Sequence, residues 1–124
     1  MAANPVNWFE IYVQDMARAR QFYETVLGIE LGDLGVPGEL EMLGFPADGN
    51  APGSGGALVC ANGVASGGNS TLVYFSCDDC AVQAGRVADS GGTLLREKMS
   101  IGQHGFVALA EDTEGNRFGL HSLR

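Results

Sequence analysis

The sequence predicts an α+β protein built from two tandem modules, each with the element order β-α-β-β-β. The first observation behind this prediction is a repeat, because residues 6–28 recur in altered form 64 positions later, at residues 70–92. The second is the local pattern that both copies share. Each has an apolar run rich in aromatic and β-branched residues, then an Asp, an amphipathic run and a Gly, which is typical of a strand, a helix cap, a helix and a helix end.

The first module opens with a predicted strand over residues 6–13, whose aromatic and β-branched side chains indicate that both of its faces are covered. Asp15 offers a carboxylate to the free N–H groups of the next turn, so a helix is expected to begin there, and Gly28 is suited to end it. The predicted buried stripe of this helix has helical spacing and comprises Met16, Ala19, Tyr23, Val26 and Leu27.

Short strands complete both modules. Those of the first module are predicted at residues 29–34, 39–45 and 57–61. The loop before the last of them is rich in Pro and Gly, cannot support a core element, and has the composition of a mobile lid. A linker is predicted at residues 62–69. The second module is predicted to have a helix at residues 79–90 and strands at residues 71–77, 93–98, 106–111 and 117–122.

Composition restricts the class of protein. With 124 residues, 45% of them apolar, the chain fits one globular domain spanning residues 1–124. The modules, residues 6–61 and 70–124, are each too small to bury a sheet alone, so we expect them to pack together or with a second chain. The N-terminus has no signal-peptide pattern and no apolar run nears the roughly 20 residues of a membrane span, so we expect a cytoplasmic protein. The net charge of −8 disfavours nucleic acid and anionic membranes as partners.

The three cysteines are expected to be reduced thiols, because an odd number without a signal peptide does not indicate a disulfide framework. Cys77 and Cys80 form a CxxC pair. The two Asp residues between them should keep the thiol pKa high, which disfavours redox chemistry. No second ligand pair stands at a matching spacing, so a zinc site is not predicted.

Three stretches give the chain a resemblance to a known family. They are the helix sequence ARARQFYETVLG after Asp15, the predicted strand that ends in Asp78 and Asp79, and the motif EDTEGNRFGLHS at residues 111–122. With these, the chain resembles the vicinal oxygen chelate superfamily of glyoxalase I, bleomycin-resistance proteins and extradiol dioxygenases over essentially its whole length. The resemblance implies paired modules, usually in a homodimer, whose half-barrel sheets enclose a cleft that binds a small molecule.

In the metal-dependent members of that family, ligands come from the first and last strands of each module. The corresponding positions here are Trp8, Leu58, Leu72 and Gly119. A hard divalent ion needs imidazole or oxygen donors, which these four residues lack, so neither a metal site nor a cofactor is predicted.

A second row lies two residues further along each strand and contains Glu10, Cys60, Tyr74 and His121. Glu10 and His121 can be interpreted as a remnant acid and base, as part of a shifted metal site, or as two groups that only satisfy each other. No catalytic residue is assigned. The predicted binding residues share the cavity-facing side of the strands and are Trp8, Glu10, Tyr12, Leu58, Cys60, Leu72, Tyr74, Gly119 and His121.

Three functions follow from this face. Large aromatic rings with a few polar groups suit a partly apolar, planar molecule, and the Glu10 carboxylate suits a cationic one, which favours a metal-free binding protein. An enzyme of the lyase, isomerase or dioxygenase type would have to use the shifted Glu and His. A dimeric interaction scaffold is favoured if Trp8 fills the cavity. Gly119 is expected to leave room where a ligating Glu would stand.

Overall fold

The structure of the chain is a computed structural model that describes residues 5–35, 40–68 and 70–124. In order, the helices and strands of these residues are β1 (Trp8–Tyr12), α1 (Met16–Leu27), β2 (Gly32–Asp33), β3 (Glu41–Gly44), β4 (Gly55–Cys60), β5 (Val73–Ser76), α2 (Cys80–Ala84), β6 (Thr93–Ser100), β7 (Phe106–Glu111) and β8 (Arg117–Ser122). Short 3-10 turns lie at Ala88–Ser90 and Gly102–His104. None of the described helices is long and apolar enough to cross a membrane.

The strands form two equivalent sheets, one per module. The strand order is β1-β4-β3-β2 in the first sheet and β5-β8-β7-β6 in the second. In each, the first and last strands of the module pair in parallel, and the other neighbours are antiparallel. This arrangement confirms the predicted α+β fold with two β-α-β-β-β modules.

Helix α1 has the predicted ends. The Asp15 carboxylate accepts a hydrogen bond from the Arg18 N–H at 3.1 Å, and Gly28 ends the helix with a φ of 67°. The buried residues of the helix are Met16, Ala19, Phe22, Tyr23 and Val26. The prediction therefore missed Phe22, and Leu27 is only half-buried.

Several other elements differ in length from the prediction. The second helix, expected at residues 79–90, ends at Ala84 and is followed by the 3-10 turn, because Gly85 has a low helix propensity. The strand expected at residues 29–34 is reduced to β2. Of the strand expected at residues 39–45, the first residue lies outside the described residues, as does residue 69 of the predicted linker.

Aromatic side chains from both modules meet in a shared core. Phe9 and Phe45 of the first module lie 6.0 and 5.4 Å from the ring of Phe75 in the second. The Tyr23 ring of α1 lies 5.6 Å from Phe118 of β8. Because these contacts cross between the modules, the two sheets and both helices pack around one apolar cluster.

Each sheet buries one face against this core and leaves the other open. Along β1, Ile11 is buried, whereas Trp8 and Glu10 on the opposite face are exposed. The prediction that both faces of this strand are covered is therefore wrong within one chain, because both helices lie on the core side of the sheets. The exposed faces of the two sheets are called the open faces below.

Candidate functional site

The open face of the first sheet carries a carboxylate held between two aromatic rings. The Trp8 Nε1–H donates a hydrogen bond to Glu10 Oε2 at 3.2 Å, and the Tyr12 hydroxyl donates to Glu10 Oε1 at 2.8 Å. Strand alternation explains the arrangement, because residues two apart project from the same face. The hydrogen bond to Glu10 is the main cause that raises the pKa of Tyr12, with burial a smaller one, so the phenol stays a donor at neutral pH. We refer to these three residues as the Glu10 cluster.

Among residues 5–35, 40–68 and 70–124, Glu10 takes part in no ion pair. The ion pairs of the described residues join Arg18 to Glu114, Arg20 to Glu24, Lys98 to Asp79 and Arg117 to Glu111. Beside Glu10 lies a cavity of about 350 Å³, whose lining includes Tyr12, Ser66, Asn116 and Arg117. Arg117 also pairs with Glu111 at 3.9 Å. An anionic group flanked by aromatic rings at the edge of a cavity is the arrangement that attracts a ligand cation.

A turn from the second module fixes the end of β1. The Asn116 side-chain amide donates a hydrogen bond to the Tyr12 carbonyl at 2.9 Å. The Glu114 carboxylate accepts from the backbone N–H groups of Gln14 and Asp15 at 2.8 and 2.9 Å. Because these groups lie about a hundred positions apart in the chain, the turn at residues 112–116 ties the Glu10 cluster to the second module.

The open face of the second sheet forms an apolar groove of about 510 Å³. Its walls include Tyr74, Met99, Ile101 and Leu109, with Ser76 and His121 as polar groups. His121 Nε2 lies 2.7 Å from the His104 carbonyl oxygen. Since a carbonyl only accepts, His121 Nε2 is the donor in this hydrogen bond.

The space next to Gly119 is not free. The ring of Tyr74 packs directly over Gly119, so that a Cβ atom at residue 119 would overlap the ring carbons. In the first module the ring of Trp8 lies over Gly55 in the same way, at 3.2 Å from an ideal Cβ. The expectation that Gly119 leaves room for a ligand is therefore wrong, because an aromatic ring of the neighbouring strand occupies that room.

Two of the predicted binding residues face the core. Leu58 is fully buried within the core cluster, and Cys60 packs against the same cluster with its thiol 3.7 Å from the Gln14 carbonyl. Glu10 pairs with Ala57 in the β1–β4 register. The expectation that Leu58 and Cys60 share the face of Glu10 is thus wrong by one residue of register, which in a strand reverses the face.

The other predicted residues lie on the open faces, in two separate groups. Trp8, Glu10 and Tyr12 lie on the first sheet, while Leu72, Tyr74, Gly119 and His121 belong to the second. Within one chain Glu10 bonds to the two aromatic side chains and His121 bonds to a backbone carbonyl, so the two do not contact each other. Met99 near the end of β6 and Ile101 just after it were missed, although their spacing of two residues is a pattern that could have indicated them.

A metal ion requires a set of donor side chains held close together. Among the described residues, no three His, Cys, Asp or Glu side chains come close enough together to hold one. The CxxC pair also lacks the features of a redox site. Burial raises the pKa of the Cys77 thiol to about 11, with further contributions from Cys80 and then from Asp78 and Asp79. A thiol with that pKa is almost fully protonated at neutral pH and is a weak nucleophile.

Two β-α-β-β-β modules with open sheet faces define a glyoxalase-like fold. Residues 6–120 match the sequence model of the Glyoxalase/Bleomycin resistance protein/Dioxygenase superfamily. The chain belongs to this superfamily. The comparison with curated proteins gave no match.

Solved structures show the same fold at low sequence identity. A hypothetical protein, SA1046 from S. aureus, is similar with a TM-score of 0.70 and 20% identity over 94% of this chain and 96% of that one. TnmS3, an antibiotic binding protein from Streptomyces sp. CB03234, has a TM-score of 0.68 and 23% identity, and the match covers 100% of this chain and 99% of TnmS3. A glyoxalase I variant from Zea mays has a TM-score of 0.75 and 23% identity, and this chain spans 46% of its length.

Proposed function

We propose that this chain is a metal-free binding protein for a small, partly apolar and cationic molecule, which it holds against the open faces of its sheets. The observation that carries the proposal is the Glu10 cluster, a carboxylate fixed between Trp8 and Tyr12 without a cationic side chain paired to it among the described residues. The three free thiols suit the cytoplasm, where we place the protein.

The geometry of the cluster supports a cationic ligand in two ways. The carboxylate attracts an ammonium group directly, and the two hydrogen bonds hold it in place before the ligand arrives, which lowers the entropy cost of binding. The rings of Trp8 and Tyr12 add attraction through their π faces, and they bury the apolar part of the ligand. The net charge of −8 favours the approach of a cation.

Further support comes from the chemistry around the site. In the described part of the chain no three metal-ligating side chains come together, and the proposal therefore assigns binding to aromatic and carboxylate contacts. TnmS3 shares the fold and binds an antibiotic, which shows that this fold can hold a small molecule. The apolar groove of the second open face would extend the contact area for the uncharged part of a ligand.

We also propose that the protein is a homodimer in which each copy covers the open faces of the other. Trp8 and Tyr74 are 45% and 48% exposed, and Leu72, Met99 and Ile101 are exposed beside them. Apolar surface of this extent on two sheets is typical of an interface.

Light scattering is expected to give the mass of two chains at micromolar concentrations, and Ile101→Glu on the open face should shift the protein to monomer because it buries a charge at the interface. Val82→Glu is the matched control, because Val82 is at least as exposed as Ile101 but lies on α2. A monomeric wild-type protein, or an Ile101→Glu variant that remains dimeric, would contradict this arrangement.

The binding proposal is tested with phenyltrimethylammonium, read out by the fluorescence of Trp8, the only tryptophan of the chain. We expect a saturable change in emission, and Glu10→Gln should weaken binding about three- to tenfold, as loss of an exposed charge beside aromatic rings does. Glu41→Gln, on the same sheet, should leave the affinity unchanged. The compound tert-butylbenzene, an uncharged isostere of phenyltrimethylammonium, should bind the wild type and Glu10→Gln with equal affinity. Equal affinity of the cation for wild type and Glu10→Gln would argue against a cation site.

A further inference from the structure

A second cavity, of about 290 Å³, lies between the two modules and is separate from the Glu10 cluster. The first module contributes Leu27, Ile29, Phe45 and the loop around Pro52, and the second contributes β5 with Cys77 and Gln83. Among the described residues that line it, none has a charged side chain. Its walls are therefore aromatic and aliphatic with a few uncharged polar groups, which suits a neutral ligand.

One of those polar groups has no partner. Gln83 Oε1 is buried, and among the buried side-chain oxygens and nitrogens of the described residues it is the one that lacks a hydrogen bond. An unsatisfied buried acceptor is destabilising relative to a bonded one. Because the last torsion of a Gln side chain is soft, the amide can rotate to present this oxygen to a donor in the cavity.

The free edge of β5 supplies backbone groups to the same cavity. In the described part of the second sheet, β5 pairs with β8 alone, and the Cys77 N–H donates to the His121 carbonyl at 2.7 Å. In a parallel strand, the N–H and C=O groups of one residue point to the same side, and those of the next residue point to the opposite side. The groups of Tyr74 and Ser76 therefore point away from β8, which explains why both residues line the cavity although their side chains lie on the open face.

We propose that this cavity is a second ligand site, specific for a small, neutral aromatic lactam or amide. The ligand N–H donates to Gln83 Oε1, and the adjacent carbonyl accepts from the free N–H of Tyr74 or Ser76. The aromatic part packs among Phe45, Ile29 and Leu27. The site needs neither Glu10 nor His121, and so it goes beyond the proposed function.

The probe for this site is oxindole, a neutral bicyclic lactam, with N-methyloxindole as the matched compound that lacks the donor. Amide NMR spectra of isotope-labelled protein are recorded during titration. We expect shifts at Tyr74, Ser76 and Gln83, and binding that is roughly tenfold weaker for the methylated compound, which is the worth of one hydrogen bond. Equal affinity for the two compounds, absence of binding, or shifts confined to β1 would overturn the proposal.

The variant Gln83→Leu keeps the size of the side chain and removes the acceptor. We expect it to bind oxindole roughly tenfold more weakly and to unfold at the same or a higher temperature, because an unpaired polar group has been removed. Gln21→Leu, the same substitution on the exposed side of α1, should bind oxindole as the wild type does. Unchanged binding by Gln83→Leu, or a clear loss of its thermal stability, would show that the amide already has a partner and would overturn the proposal.

Discussion

Glu114→Gln is expected to lower the free energy of unfolding by about 2 to 4 kcal/mol at neutral pH, because it removes a buried carboxylate that accepts several hydrogen bonds and pairs with the half-exposed Arg18. The Glu114 side chain is fully buried, and its Oε2 lies 2.7 Å from Arg18 Nε. The carboxylate also accepts hydrogen bonds from the backbone of Gln14 and Asp15 and from the Thr113 hydroxyl. A Gln amide would turn an N–H group toward donors, so at least one bond is lost and one repulsive contact is created.

The same contacts make the effect depend on pH. Burial alone would raise the pKa of Glu114, but the hydrogen bonds from Arg18, Asp15, Thr113 and Gln14 outweigh it and lower the pKa from 4.5 to about 2. A carboxylate with a lowered folded-state pKa stabilises the protein above its unfolded value, and this contribution, on the order of 3 kcal/mol, is lost as the pH falls from 4.5 towards 2.

Denaturant unfolding of wild type and Glu114→Gln across this pH range measures the difference directly. The difference in free energy of unfolding between the wild type and Glu114→Gln should be largest at neutral pH and should approach zero in acid. Glu30→Gln, at an exposed position of the first module, should show little difference at any pH. A gap for Glu114→Gln that stays constant from neutral pH to acid would show that the carboxylate charge does not stabilise the turn.

Asp112→Asn is expected to cost about 2 to 4 kcal/mol of unfolding free energy, since it leaves buried donors unsatisfied. Asp112 Oδ2 accepts from the Tyr23 hydroxyl at 2.6 Å, and Oδ1 accepts from the backbone N–H groups of Glu114 and Asn116 at 2.8 Å. Whichever position the Asn amide nitrogen takes, it faces donors. Burial and the neighbouring Asp112 charge raise the pKa of Tyr23 well above its usual value, so the hydroxyl remains a donor.

A double-mutant cycle with Tyr23→Phe separates the cross-module bond from the local ones. Tyr23→Phe alone should cost about 1.5 to 3 kcal/mol, because a hydrogen bond to a buried carboxylate is lost. In the Asp112→Asn background, Tyr23→Phe should cost clearly less free energy of unfolding than it does in the wild type. Asp78→Asn, an exposed Asp of the second module, is the control and should be nearly neutral. Additive costs would mean that Tyr23 and Asp112 stabilise the modules independently.

Elements with strong local signals were predictable from the sequence. Helix α1 has its cap at Asp15 and its end at Gly28 as expected, because both depend on nearby backbone groups. Phe22 was missed because one stripe of helical spacing was assumed. The helix contacts the aromatic cluster of both modules, which widens its buried arc.

The faces of the strands were harder to predict, because alternation separates two sets of residues without showing how neighbouring strands align. Leu58 and Cys60 were assigned to the wrong face for this reason. The pairings of the structure supply the missing information, since Glu10 lies opposite Ala57 and its repeat equivalent Tyr74 lies opposite Gly119. The position of the Tyr74 ring over Gly119 and the bonds of Glu114 could not be predicted, because they depend on long-range side-chain contacts without a local pattern.

The most direct test of the central claim is to locate a bound cation by NMR. Nuclear Overhauser effects are measured between the methyl protons of phenyltrimethylammonium and the protein. We expect contacts to the ring protons of Trp8 and Tyr12, because these rings flank the Glu10 carboxylate. Contacts to Tyr74 or Met99 in addition would place the second open face of a partner chain against the same ligand. Contacts that omit both Trp8 and Tyr12 would contradict the assignment of the site to the Glu10 cluster.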